Sequence, residues 1–122
     1  MKKQLTHTTM HQFKLSTDNS FKDELSVNGI SLTRLKQRVG KTPFYAYDRT
    51  IINQQIESLR THFDMVSLHY AIKANPMPAL VSFVSGLVDG LDVASAKELK
   101  VALNSGHPAE QISFAGPGKN NQ

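Results

Sequence analysis

The sequence has 122 residues, of which 39% are hydrophobic and 20% charged, a length and composition typical of one folded domain rather than a disordered chain. The absence of cysteine excludes a disulfide framework, a thiolate nucleophile and a zinc–thiolate site, and no apolar run reaches the roughly 20 residues that cross a bilayer. The net charge of +4 comes from basic residues interleaved with acidic ones, which argues against a nucleic-acid interface. Because the start carries no signal-peptide pattern, we expect a cytoplasmic protein.

The amino-terminal part is predicted to contain a flexible arm, a hairpin and one short helix. Residues 1–24 are polar and lack periodicity, which indicates the arm. Asn28-Gly29 stands between short apolar flanks and predicts a type I′ turn. Ser31 is typical of a residue that caps a helix and Gly40 of a residue that ends one, so we expect a helix between them.

The aromatic run Phe44–Tyr47 predicts a strand, and helices and strands alternate from Asp48 onward. Asp48 is a suitable N-cap for one helix, Pro78 lies near the start of the next, and Ser95 with Glu98 forms a capping box for a third. The short apolar runs between the helices predict strands over residues 65–72, 90–94 and 111–115. Such an order forms parallel βαβ units, which both a doubly wound sheet and a (β/α) barrel contain.

Side chains alternate between a bulky apolar face and a small or polar face along each predicted strand. A sheet covered by helices on both faces is apolar on both, so the alternation favours a barrel with helices outside and a ligand near its mouth. We expect Lys73, Asp92 and Ala115 on the small or polar face, together with His69 as a hydrogen-bonded interior histidine. The residues expected beneath the helices or in the core are Val66, Val93, Phe114 and Met65.

Lys73 is the strongest candidate for a reactive group. It is predicted at the carboxyl end of the first of these strands, where barrel enzymes carry their catalytic side chains. A lysine that loses solvation in an enclosed site becomes a nucleophile that can form a Schiff base with an aldehyde. Ala71 on the same face leaves room for a flat ring, and Asp92 could pair with an ammonium or imine nitrogen. By themselves these features also fit a surface lysine in a salt bridge.

Four segments resemble the ornithine/diaminopimelate/arginine decarboxylases, the fold-type III pyridoxal phosphate (PLP) enzymes. Tyr70-Ala-Ile-Lys-Ala-Asn75 resembles the lysine motif of that family, and the run Gly90–Leu99 resembles its second-strand signature. The segments Ile112–Lys119 and Thr42–Asp48 resemble its third-strand exit and the entry to its barrel domain. The resemblance covers residues 25–122 and extends to the subgroup named pyridoxal-dependent decarboxylase, exosortase A system-associated. The runs that are typical of this subgroup are Gly29–Leu35, Lys73–Pro78 and Leu87–Ser95.

The resemblance implies an α/β fold, the N-terminal portion of a PLP-binding (β/α)8 TIM-like barrel with about three strands present. Residues 1–24 then form the flexible arm, residues 25–47 a strand and helix segment that joins a β-domain, and residues 48–122 the partial barrel domain. The family's phosphate-binding glycine loop and the acidic partner of the pyridine nitrogen come later in its sequences. We therefore expect an N-terminal fragment that does not decarboxylate an amino acid by itself.

The resemblance also assigns roles to individual residues. Lys73 is implied to hold PLP as an internal aldimine, Ala71 to line the cofactor ring and Asp92 to lie near the aldimine, with no metal in the site. The implied reaction is the decarboxylation of a small amino-acid substrate, in which the PLP ring accepts the electrons left when carbon dioxide departs. The full-length form is implied to be a homodimer, with neither nucleic acid nor membrane as a partner.

Two other functions remain open at this stage. A non-catalytic remnant or interaction module could pair with a partner through the open edge of the sheet. Another fold-type III PLP protein, such as an alanine racemase, shares the fold and the lysine on the first barrel strand. The sequence does not specify which amino acid a decarboxylase of this kind would act on.

Overall fold

The computed structural model of the protein describes residues 14–15 and 23–116, which divide into one unit that ends at Gln54 and another that begins at Gln55. The first unit contains a three-stranded antiparallel sheet in the order β1-β2-β3 and two helices, of which the second extends into the other unit. Its elements are β1 (Lys14–Leu15), β2 (Leu25–Val27), β3 (Ile30–Ser31), α1 (Leu32–Val39) and α2 (Arg49–His62).

The predicted hairpin and helix of the first unit are confirmed, and each follows from local sequence. Asn28 and Gly29 have positive φ angles of 49° and 78°, as the type I′ turn between β2 and β3 requires. The Ser31 side chain accepts the backbone N–H of Arg34 at 3.2 Å and caps the start of α1. Gly40 ends the helix with a φ of 78°, a left-handed conformation that glycine adopts without steric cost.

Two predictions for the first unit are corrected. Phe44–Tyr47 is irregular backbone and not a strand, and Tyr45 is 92% exposed. Aromatic residues favour strands because they pack against neighbouring strands, and no strand of the described residues pairs with this segment. Residues 14–15, inside the expected flexible arm, form β1 and pair with β2. Residues 1–13 and 16–22 of that arm lie outside the described part of the chain.

The second unit has the predicted alternation of helices with parallel strands. Its sheet has the order β4-β5-β6 with every neighbouring pair parallel, so the predicted βαβ arrangement is confirmed. Among the described residues, no helix is long and apolar enough to cross a membrane. The elements are β4 (His69–Ala71), a 3₁₀ turn (Ile72–Ala74), α3 (Pro78–Ser85), β5 (Gly90–Val93), α4 (Ala96–Asn104), a second 3₁₀ turn (Ala109–Gln111) and β6 (Ile112–Phe114).

The predicted capping signals lie where the helices begin. Asp48 accepts the N–H of Thr50 at 2.8 Å through Oδ1, and α2 starts at the next residue after Asp48. Ser95 accepts the N–H of Glu98 at 3.2 Å, which is one half of the predicted capping box. In the standard box the Glu98 carboxylate would accept the N–H of Ser95. Here it accepts the N–H of the preceding residue, Ala94, at 2.8 Å.

The core of the second unit lies between one face of the sheet and helices α3 and α4. It consists of fully or nearly fully buried side chains from β5, the two helices and the first 3₁₀ turn, with Tyr70, Ile112 and Phe114 packed against it. The predicted position of Val93 and Phe114 on the helix side is therefore confirmed, with Val93 buried and Phe114 partly buried. The buried core residues are Ile72, Val81, Leu91, Val93 and Ala102.

The first parallel strand is shorter than predicted at both ends. Val66 is 58% exposed and Met65 is 92% exposed, so their predicted burial and their place in a strand over residues 65–72 are wrong. The pairing of β4 begins only where β5 begins, at His69 opposite Gly90. The strand ends at Ala71 because the chain there turns into a 3₁₀ helix.

Within the second unit, an ion pair that the sequence did not reveal joins the carboxyl-terminal part of α2 to the start of the parallel sheet. The Arg60 guanidinium donates to both carboxylate oxygens of Asp89 at 3.1 Å and to the Leu87 carbonyl at 2.8 Å. Asp89 also accepts the N–H of Leu68 at 2.8 Å. The bonds from Arg60, and next the bond from Leu68, hold the pKa of the Asp89 carboxyl below its ordinary value of 3.8.

Replacing Asp89 by asparagine should therefore weaken the fold at neutral pH but not at strongly acidic pH. Because the side chains of Arg60 and Asp89 are 41% and 42% exposed, we expect a loss of at most about 1 kcal/mol of unfolding free energy. A carboxyl with a lowered folded-state pKa stabilises the fold above its unfolded-chain pKa, and this contribution disappears as the pH falls through the folded-state value.

Urea unfolding of the wild type and Asp89→Asn from neutral pH downward measures this difference. The difference in unfolding free energy between the two proteins should be constant above about pH 5 and shrink below about pH 4. Asp64→Asn, which removes an exposed carboxylate from the same unit, is the matched control. A difference that does not vary with pH would show that the ion pair is not responsible.

Candidate functional site

The open face of the parallel sheet, opposite α3 and α4, carries small side chains. The register places Ala71 opposite Asp92 and Asp92 opposite Ser113, so these residues share one face while Tyr70, Leu91 and Ile112 share the other. We call this the open face, and its residues are His69, Ala71, Gly90, Asp92 and Ser113. Asp92 thus lies on the expected face, whereas Ala115 follows the end of β6, and the face expected for it stays a prediction. Only His69 and Asp92 on the open face have larger polar side chains.

Lys73 lies immediately beyond the carboxyl end of β4, in the 3₁₀ turn, and its side chain is exposed. The turn is held on both sides of the lysine. Ile72 is fully buried in the core, and the Tyr70 hydroxyl donates to the Asn75 carbonyl at 3.1 Å across the turn. The Asn75 side chain then accepts the N–H of Met77 at 3.0 Å, just before α3 begins. The Tyr-Ala-Ile-Lys-Ala-Asn motif is therefore one folded unit that presents the lysine.

Asp92 is paired with a histidine rather than with an ammonium group. Its Oδ1 lies 2.9 Å from His69 Nδ1, and the other ring nitrogen lies 3.1 Å from the Ser67 hydroxyl. The hydrogen bonding expected of His69 is confirmed, but its side chain is 32% exposed and not interior. The ring occupies space that Gly90 leaves, since a Cβ on Gly90 would stand 2.5 Å from the ring carbon Cε1.

The chain leaves β6 close to β5. The Ala115 N–H donates to the Val93 carbonyl at 2.9 Å and extends the pairing by one residue. Gly116 has a φ of 153°, and a Cβ on it would stand 3.0 Å from the Ala94 carbonyl oxygen, so glycine is needed for this close approach. Residues 117–119 of the expected exit turn lie outside the described part of the chain.

His107 is a buried polar residue that the sequence did not single out. It is 9% exposed, and its Nδ1 lies 3.1 Å from the Ser85 carbonyl at the end of α3. Its Nε2 is buried without a hydrogen-bond partner among the described residues. Neither this contact nor the Arg60–Asp89 pair has a sequence signal, because the partners are 22 and 29 residues apart with no shared motif.

The parallel strands are joined by helices, with a lysine just beyond the first strand and small residues beside it, an arrangement of βα repeats that α/β barrels contain. Residues 49–122 match the family model described as pyridoxal-dependent decarboxylase, pyridoxal binding domain. This match covers more than half of the chain, and the chain therefore belongs to the PLP-dependent decarboxylases of that family. The family resemblance of the motifs is confirmed.

Curated relatives give the same assignment. The chain is 41% identical over 96 residues to the diaminopimelate decarboxylase of Aquifex aeolicus, an alignment that covers 79% of this chain and 23% of the relative. It is 33% identical over 78 residues to the lysine/ornithine decarboxylase of Selenomonas ruminantium, covering 64% of this chain and 20% of the relative. The chain thus spans less than a quarter of the length of these relatives.

Solved structures confirm the predicted fold class. A crystal structure of an Aquifex aeolicus protein superposes with a TM-score of 0.73 at 40% identity, covering 80% of this chain and 24% of that one. The crystal structure of diaminopimelate decarboxylase from M. jannaschi superposes with a TM-score of 0.66 at 26% identity, covering 86% and 25%. The parallel sheet of the second unit therefore corresponds to the first strands of the PLP-binding barrel.

Tyr70→Phe should loosen the turn that carries Lys73. The substitution removes only the hydroxyl that bridges to Asn75, and a hydrogen bond of this kind contributes about 0.5–1.5 kcal/mol. We expect faster amide hydrogen exchange in the 3₁₀ turn and a loss of that size in unfolding free energy. Tyr45→Phe, at a side chain that is 92% exposed, is the control and should change neither quantity. Wild-type exchange rates in Tyr70→Phe would show that the hydroxyl does not hold the turn.

Proposed function

We propose that this chain forms the N-terminal part of a PLP-dependent amino-acid decarboxylase of the diaminopimelate/ornithine type, in which Lys73 is the residue that binds the cofactor. The observation that carries the proposal is the position of Lys73. It lies just beyond the carboxyl end of the first parallel strand and beside the open face, within the segment that matches the pyridoxal-binding domain. Catalytic groups of barrel enzymes occupy this end of the strands.

The residues present fit pyridoxal phosphate. The cofactor carries an aldehyde that requires a primary amine, and Lys73 offers an exposed one. Its flat ring requires a surface without bulky side chains, which Ala71 provides on the open face. When bound, PLP supplies an electron sink for the carbanion left after carbon dioxide departs.

The proposal assigns a role to each of three residues. Lys73 would hold the cofactor covalently, and its amine would stand beside the reacting atoms, where it could accept or return a proton. Ala71 lines the ring. Asp92 lies opposite Ala71 on the neighbouring strand, and its negative charge favours a cationic nitrogen bound near Lys73.

The wider properties follow from the same proposal. Substrates are small amino acids, since the curated relatives include decarboxylases named for diaminopimelate, lysine and ornithine. The full-length form is a cytoplasmic homodimer that uses no metal and has no nucleic-acid or membrane partner. Residues 25–47 join a β-domain, and residues 48–122 contribute the first strands of the barrel. Membership of the exosortase A system-associated subgroup stays a prediction.

A chimera with a related enzyme tests the proposal. The matching segment of the Aquifex aeolicus diaminopimelate decarboxylase, 41% identical over 96 residues, is replaced by the corresponding residues of this chain. We expect PLP-dependent release of carbon dioxide from diaminopimelate within roughly tenfold of the parent enzyme. Lys73→Ala in the chimera should reduce it by roughly a thousandfold or more, because the covalent attachment is lost.

Lys97→Ala in the same chimera is the matched control, since Lys97 is an exposed lysine on α4 and should be dispensable. Amino-acid racemisation is assayed in parallel. A folded chimera whose decarboxylation survives Lys73→Ala would refute the role of the lysine. Racemisation without release of carbon dioxide would favour the racemase alternative.

A further inference from the structure

The two larger polar side chains on the open face are bonded to each other. His69 Nδ1 and Asp92 Oδ1 are 2.9 Å apart across the β4–β5 pair, and His69 Nε2 lies 3.1 Å from the Ser67 hydroxyl. The ring is also confined by the backbone beneath it, because Gly90 opposite His69 leaves the space that a Cβ would fill at 2.5 Å from the ring. Three neighbours thus fix the position of one imidazole.

These contacts specify which ring nitrogen carries the proton in the neutral imidazole. An ionised carboxylate only accepts hydrogen bonds, whereas a serine hydroxyl can donate or accept. The one arrangement that satisfies both bonds has Nδ1–H donating to Asp92 while Nε2 accepts the Ser67 O–H. The other tautomer would set an acceptor nitrogen against an acceptor oxygen at 2.9 Å.

We propose that His69 is a positioning residue, whose Nδ1–H holds the Asp92 carboxylate beside Ala71 so that it faces a cationic nitrogen bound at Lys73. The cation and its attachment rest on the proposed function, whereas the His69–Asp92 bond does not. Asp92 is 44% exposed in its side chain, so without a fixed partner its carboxylate can rotate into solvent. The bond from His69 to Oδ1 restricts that rotation.

The bond itself is tested by NMR on the 15N-labelled 122-residue chain without cofactor. Long-range nitrogen–proton correlations report the tautomer of His69. We expect the Nδ1-protonated ring in the wild type and in Ser67→Ala, where Asp92 still accepts the Nδ1–H. An Nε2-protonated ring in either protein would overturn the proposal.

The role toward the cofactor is tested in the chimera described above, by trapping PLP with borohydride and mapping the labelled peptides. The readout is the ratio of label on Lys73 to label on Lys97 in one sample. His69→Asn places an amide nitrogen where Nδ1 was and should keep the ratio within about twofold of the chimera without further substitution. His69→Gln reaches the position of Nε2 instead and should lower the ratio roughly three- to tenfold, the effect of one charge-assisted hydrogen bond at a half-exposed site.

The paired variants separate positioning from general destabilisation. A loss of folding lowers the ratio in both variants, whereas the proposal requires asparagine to rescue and glutamine to fail. Equal ratios in His69→Asn and His69→Gln would therefore overturn it. A folded chimera without further substitution that labels Lys73 no more than Lys97 would refute the proposed function, and with it this role, whatever tautomer the NMR experiment shows.

Discussion

The parallel register of β4 and β5 is the constraint on which the rest of the site depends. It sets Ala71 opposite Asp92 and His69 opposite Gly90, and in the same step it turns Leu91 into the core with no exposed surface. A slip of one residue would expose Leu91 and bury the Asp92 carboxylate beneath the helices, and both changes cost free energy. Because the apolar face is buried, the chemistry of the open face is fixed by the hydrophobic effect acting on its other side.

The two ends of the sheet are specialised differently. At the amino end, the Arg60–Asp89 ion pair joins α2 to the residues just before β4 and β5. At the carboxyl end, the backbone turns sharply after Ala71, with Ile72 buried and the Tyr70 hydroxyl bonded across the turn. Lys73 therefore projects from a turn that is anchored from within the core, which limits the motion of its backbone while its amine stays accessible.

Features that depend on neighbouring residues in sequence could be predicted, and those that depend on distant ones could not. Asn28-Gly29, Ser31 with Gly40, and Ser95 with Glu98 act within a few residues of themselves, so their turns and caps were predicted correctly. The short extent of β4, the irregular backbone of Phe44–Tyr47 and the His69–Asp92 bond depend on what lies alongside in space. The alternation of side chains along the strands predicted that His69 and Asp92 share one face of the sheet, but it did not predict which residues of the two strands pair. The chemistry of Lys73 was suggested by its position, while its assignment to a cofactor came from the motif around it.

The central claim is that the open face beside Lys73 is accessible and receives pyridoxal phosphate, whereas the opposite face is sealed by helices. The protein has no cysteine, so single alanine-to-cysteine variants report on one site each. Ala71→Cys on the open face should react with a thiol reagent at least roughly a hundredfold faster than Ala102→Cys, whose position in α4 has no exposed surface. Added PLP should slow the reaction of Ala71→Cys only. Equal rates at the two positions, or no protection of Ala71→Cys by PLP, would contradict the account.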